Sequence, residues 1–190
     1  MRQRWACART PVVVALLVLA PCVVTAQHMP LPVELQFSLF YRIMSYDRNQ
    51  EQRSLDGLVI AVVYQSGYRA SRAAHDEAVR QRPPAEAESS VRFVSVDLDG
   101  GGDLGAALAD ARFDVLYVAP LRAVGIADIA TACRRRRLLC LTGVPEYVES
   151  GLAVGVGLRG ERPEILVNLA AARAGGADFS AQLLRLARVW

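Results

Sequence analysis

Few side chains in this sequence are equipped for chemistry, and the densest group is CRRRRLLC, Cys133 to Cys140, where four consecutive arginines stand between two cysteines. Two thiols at that spacing can be metal ligands, a redox pair or a disulfide. A zinc site needs two more ligands, and the only histidines are His28, near the start of the chain, and His75, remote in sequence from both cysteines. Redox-active pairs prefer two intervening residues, and here there are six. A structural disulfide is the favoured chemistry, redox thiols the next and metal the last. No cofactor is expected.

Nucleophilic catalysis would have to use His75, whose neighbours Asp76 and Glu77 mark a solvated helix face, so a Ser-His-Asp triad gains little support. Asp97 and Asp99 are close enough in sequence for paired acid-base work, but no substrate suggests itself. All 22 basic residues are arginine, which closes the Schiff-base, P-loop and general-base chemistries of lysine. GVGLRG, Gly155 to Gly160, matches the dinucleotide fingerprint in letters alone, because it opens no helix that could hold a pyrophosphate. DGGGD joins a strand to a helix, yet its flanking Asp99 and Asp103 would repel a phosphate, so it reads as a turn and a helix cap. No catalytic residue is assigned and no enzyme is expected.

The remaining candidate is QSGYRAS, Gln65 to Ser71, which leaves the first expected strand. Small ligands of open α/β sheets bind beyond the carboxyl ends of the strands. Ser66, Tyr68, Arg69 and Ser71 could hydrogen-bond or stack on such a ligand, although an ordinary turn with Ser71 as helix N-cap is the simpler expectation.

The elements that must position these groups begin after a leader. MRQRWACARTPVVVALLVLAPCVVTA has early arginines, an apolar core of about nine residues and small residues at its end, which is the layout of a secretory signal over residues 1–26. Its core is well short of the roughly twenty residues needed to span a bilayer. Cys22 leaves a lipoprotein signal as the alternative, which the preceding Pro21 fits badly. The leader holds three of the 22 basic residues and none of the 19 acidic ones, so the mature chain is formally neutral and lacks the electrostatic footprint of nucleic-acid binding. Export would place Cys133 and Cys140 in an oxidising compartment.

Residues 27–190 are expected to form one α/β domain. LPVELQFSLFYRIMSYD carries Phe37, Phe40, Ile43 and Met44 at helical spacing; LVIAVVY, Leu58 to Tyr64, is a buried strand; and a helix is expected from Ser71 to about Gln81. VRFVSVDL, FDVLYVAP and LLCLTG are further strands, separated by helices over DGGGDLGAALADA and GIADIATACRRRR. That alternation implies a mainly parallel sheet flanked by helices. LAVGVGLR and RPEILVNL form an edge hairpin about Gly160-Glu161, and DFSAQLLRLARVW is an amphipathic closing helix with Phe179, Leu183, Leu186, Ala187 and Trp190 on its apolar side. The arginine run falls at the end of a helix, where positive charge meets unpaired carbonyls.

YVESGLAVGVGL, ILVNLAAARAGG and FSAQLLRLA together resemble the YfiR family of exported proteins, on Tyr147, Gly151, Asn168, Ser180, Leu183, Leu184 and Leu186. The resemblance implies a small α/β protein of the periplasm that carries disulfides and tends to dimerise. It also implies a repressor's role, holding an inner-membrane diguanylate cyclase inactive by binding its outer part, with the membrane reached through that partner alone. Phe37, Phe40 and Tyr41 are the candidates for the partner surface, at least two of them being expected in the core instead. A small-molecule binding module related to solute-binding proteins is the alternative. SYDRN replaces the lysine and Trp-Pro that the family places near the first helix, and a second cysteine pair is absent.

Overall fold

A computed structural model describes residues 28–53, 57–83, 91–99, 104–109 and 112–190. The expected leader with Cys22, and the expected Asp103 cap, lie outside the described residues.

Pro30 and Pro32 extend the chain into helix α1, Val33–Met44. Proline at the threshold of a helix removes an N–H that would have no partner, and Glu34 and Arg42 sit at the ends of the helix that favour their charges. After the short α2, Gln50–Arg53, strand β1 runs from Leu58 to Tyr64, the residues its β-branched run marked out. Then follow α3 (Arg69–Ala78), β2 (Val91–Asp97), α4 (Leu104–Ala109), β3 (Val115–Val118), α5 (Ile126–Arg136), β4 (Leu139–Thr142) and α6 (Pro145–Glu149). The chain closes with β5 (Val154–Arg159), β6 (Arg162–Val167), α7 (Leu169–Ala174), α8 (Ala181–Leu186) and β7 (Arg188–Val189).

The strands form one sheet in the order β2-β1-β3-β4-β5-β6-β7, and every neighbouring pair is parallel except β5 with β6. Because side chains alternate along a strand, a continuous apolar run feeds both faces. Ile60, Val62, Val115, Tyr117, Leu139 and Leu141 point to the face covered by α1, α3, α7 and α8. Ala61, Val63, Leu116, Val118 and Cys140 point to the face covered by α4, α5 and α6.

The first face holds an aromatic cluster in which Phe37 lies 5.0 Å from Tyr117 and 5.7 Å from Phe93, ring centre to ring centre. One polar group is built into it. The Tyr117 hydroxyl donates to Gln36 Oε1 at 2.9 Å and Gln36 Nε2 donates to the Leu31 carbonyl at 2.7 Å, so a fully buried amide is satisfied on both ends. Gly143 makes the room, since a Cβ there would stand 2.1 Å from Gln36 Oε1.

Cys133 and Cys140 are disulfide-bonded, with Cα atoms 6.6 Å apart, and the bond ties the last turn of α5 to β4. The arginines between them fall at the end of the helix as expected, but the carbonyls there are met by backbone N–H groups and not by their side chains. Arg137 turns into the left-handed region at φ 57°, its N–H takes the Arg134 carbonyl, and the Leu138 N–H takes the Cys133 carbonyl. This is a Schellman closure made by backbone alone. The side chains go elsewhere: Arg134 Nη2 donates to Thr131 Oγ1 at 2.8 Å, and Arg136 donates to the Leu108 carbonyl of α4.

Three other expectations are corrected. Ser71 is not the N-cap of α3, which begins at Arg69; it lies in the first turn, fully buried, and its Oγ accepts the Gln65 N–H at 2.9 Å. The β5–β6 hairpin, with Gly160 at φ 63° in its turn, is not the outermost pair, because β7 adds to β6. The closing helix ends at Leu186, which is 67% exposed, and the residues expected to continue it become that last strand.

Candidate functional site

In the order β2-β1-β3 the chain leaves β1 on one side and β3 on the other, so the carboxyl ends of β1 and β3 flank the crevice where such sheets hold ligands. Three loops meet there, after β1, β2 and β3. Gln65 spans the gap: its Oε1 accepts the Arg122 N–H at 2.6 Å, while its Nε2 donates to the Arg122 carbonyl and to Asp99 Oδ1, each at 3.2 Å. The Arg122 guanidinium lies 4.0 Å over the Tyr68 ring, a cation–π contact that closes the mouth. Asp99 Oδ2 accepts the Gly67 N–H at 2.7 Å, and a Cβ on Gly67 would approach that oxygen to 3.1 Å. Asp97 Oδ1 accepts the Ser66 N–H and the Asp99 N–H, each at 3.1 Å. The two carboxylates therefore occupy the backbone donors that an anionic ligand would seek.

Desolvation of Asp97 pushes its pKa up, but hydrogen bonds from the Ser66 hydroxyl and from the backbone of Asp99 and Ser66, helped by His75, outweigh it and hold the group below its usual value. On the far side of the crevice the Tyr147 hydroxyl accepts the Leu121 N–H at 2.8 Å, which pins the loop after β3. Burial pushes that phenol's pKa up to about 12, so it remains neutral.

Of the four residues expected to touch a ligand, Ser66 and Tyr68 are at the crevice, Ser71 is turned into the core and Arg69 is exposed on the first turn of α3. Gln65 and Arg122, which do most of the closing, were not anticipated. Gln65 follows a strand directly, a positional signal, whereas Arg122 lies 57 residues away and has none.

His75 stacks on Tyr64 at 3.9 Å, with Ser95 Oγ 2.7 Å from Nε2 and Asp76 Oδ1 2.9 Å from Nδ1. The letters of a triad are present, but Ser95 lies within β2, paired along its length with β1, and not on the sharp turn that presents a nucleophile beside free backbone donors. This contact anchors α3 to the sheet.

The aromatic residues of α1 are placed by burial. Phe37 is 1% and Phe40 0% exposed, so the core role expected for two of the three is the observed one, and neither presents a surface to a partner. Tyr41 is half-buried beside Phe37, and its hydroxyl has no hydrogen-bond partner among the described residues.

The sequence profile of YfiR/HmsC-like proteins matches residues 34–188. The chain belongs to the YfiR/HmsC-like family. That family is a regulatory and periplasmic one, not a catalytic one. Among curated proteins none matches. Two solved structures share the fold of this YfiR/HmsC-like protein. One is an ABC domain in complex with L-Trp from Streptococcus pneumonia, at TM-score 0.59 and 12% identity over 83% of this chain and 61% of that one. The other is a conserved domain protein from Vibrio cholerae O1 biovar eltor, at TM-score 0.56 and 15% identity over 83% and 60%. The YfiR/HmsC-like chain thus spans about three-fifths of each, and the likeness is one of fold.

Several residues of the YfiR/HmsC-like segment have structural work. Gly151, at φ 111°, follows α6; Asn168 Oδ1 accepts the Ala171 N–H at 3.0 Å and caps α7; Ser180 Oγ accepts the Leu183 N–H and caps α8. No helix among the described residues is long and apolar enough to cross a membrane.

Proposed function

We propose that this protein is an exported, non-enzymatic regulator that binds the periplasmic part of a membrane signalling protein, a diguanylate cyclase or a sensor kinase, and modulates it. The family match over residues 34–188 carries this reading. A crevice filled by the chain's own carboxylates supports it, as does a disulfide of the kind that persists outside the cytoplasm.

With Phe37 and Phe40 in the core, the partner surface moves to the β7 end of the sheet. There Leu186, Val189 and Trp190 are exposed, at 67%, 41% and 41%, beside a strand that ends the sheet. An exposed edge with apolar neighbours is a template for pairing with another chain. Mild cross-linking in cells followed by purification from membranes tests the proposal. A membrane protein with a periplasmic sensory domain is expected in the cross-linked product; recovery of none contradicts it.

A second reading is favoured by the fold likeness to a domain solved with L-Trp bound: a small-molecule module using the same crevice, with Asp99 displaced. A solute present at a hundred times its dissociation constant would then stabilise the protein by about 2.7 kcal/mol, which thermal-shift screening detects.

A further inference from the structure

Arg134 to Arg137 are all exposed, and the carbonyls they were expected to cap are closed by backbone. The Arg134 and Arg136 side chains are tied to Thr131 and to the Leu108 carbonyl, whereas the side chains of Arg135 and Arg137 have neither a hydrogen bond nor an ion pair among the described residues. Successive helical positions are 100° apart, so the run fans around the end of α5 and Arg137 carries it past the helix. An open cavity of about 560 Å³, lined by Leu108, Ala132, Arg135 and Arg136, flanks the fan on one side. A polar depression of about 230 Å³, lined by Asn49, Gln52, Asp114 and Arg137, flanks it on the other. The disulfide holds the whole end in place against β4.

We infer that this arginine end docks the protein on the anionic phospholipid headgroups of a bilayer. Four guanidinium groups spread around a helix end, between two open depressions, meet a plane of phosphates better than they meet one extended peptide. Each guanidinium presents a fork of donors matched to phosphate oxygens. Outside this run, residues 27–190 hold 15 basic against 19 acidic residues, so the attraction is local to this end and short-ranged in salt. Asp97 and Asp99 lie at the carboxyl ends of the strands, and the arginines precede the amino end of β4. Docking therefore points the crevice away from the lipid. This inference does not depend on which signalling protein is bound.

Vesicle flotation with purified protein tests it, using phosphatidylcholine vesicles with and without one quarter phosphatidylglycerol. The protein is expected to float with the anionic vesicles at low salt, to release as salt rises, and to ignore the neutral ones. At about five-fold in partitioning per arginine, R135Q/R137Q loses roughly 25-fold. R69Q/R72Q removes the same charge from the first turns of α3, at the crevice end, and retains binding. Melting temperature shows that both variants fold. Equal flotation with neutral vesicles, equal loss in both variants, or no flotation at low salt overturns the proposal. So does tighter binding to soluble polyglutamate, which would make the surface one for an acidic protein, or saturable binding of millimolar inorganic phosphate, which would make it a discrete anion site.

Discussion

At the scale of single residues, Arg137 is held at φ 57° with a side chain that gains nothing from that conformation. Glycine meets no Cβ penalty there, so R137G is expected to raise stability by about 1 kcal/mol, read from the midpoint of urea unfolding. Gly143 is the opposite case. G143A places a methyl group against Gln36 Oε1 and is expected to cost about 1–3 kcal/mol in the same measurement, because the buried amide and the Tyr117 hydroxyl have no room to yield. Asp97 adds a pH dependence. Its folded pKa lies below the ordinary 3.8, so folding favours the ionised form. The stability it contributes is full above that value and is lost as pH falls through the lower, folded one. The stability gap between wild type and D97A is therefore expected to be constant from neutral pH to about pH 5 and to close on further acidification. A gap that widened in acid would contradict the hydrogen-bonding account of the crevice.

Among the elements, the disulfide closes a loop of about eight residues, for which loop-closure entropy gives on the order of 2.5 kcal/mol. Reduction without alkylation, followed by thermal or urea unfolding, is expected to show that loss while leaving the fold in place. An unchanged midpoint would mean that the Schellman turn alone holds α5 to β4. Most elements were legible in the sequence where their signal is local. The run Leu58 to Tyr64 is apolar on both faces and is β1 to the residue; Gly160 announces the hairpin turn; Pro32 and the spacing of Phe37 and Phe40 announce α1. Three helices went unread because they are short, barely one turn each: α2 is four residues long, α6 rests on Pro145 at its start and α7 on the Asn168 cap. The expected closing helix was overruled by tertiary pairing. The Trp190 N–H reaches the Val167 carbonyl and the Leu169 N–H reaches the Trp190 carbonyl, which draws the end of the chain out as β7. The crevice was legible only by position. Gln65, Asp99 and Arg122 come together across 34 and 57 residues, and no spacing in the sequence encodes that meeting.

For the molecule as a whole, the doubly covered sheet supplies a rigid body with three distinct regions: a crevice sealed from within, an edge at β7 with exposed apolar side chains, and an arginine-rich end. A receptor for solutes would need the first; a regulator that works by contact uses the others. Isothermal titration of the purified protein with the periplasmic domain of the membrane protein captured by cross-linking separates these. The account predicts saturable binding that weakens at least ten-fold in L186D/W190D. Absence of saturable binding, or binding indifferent to those two substitutions, would contradict it.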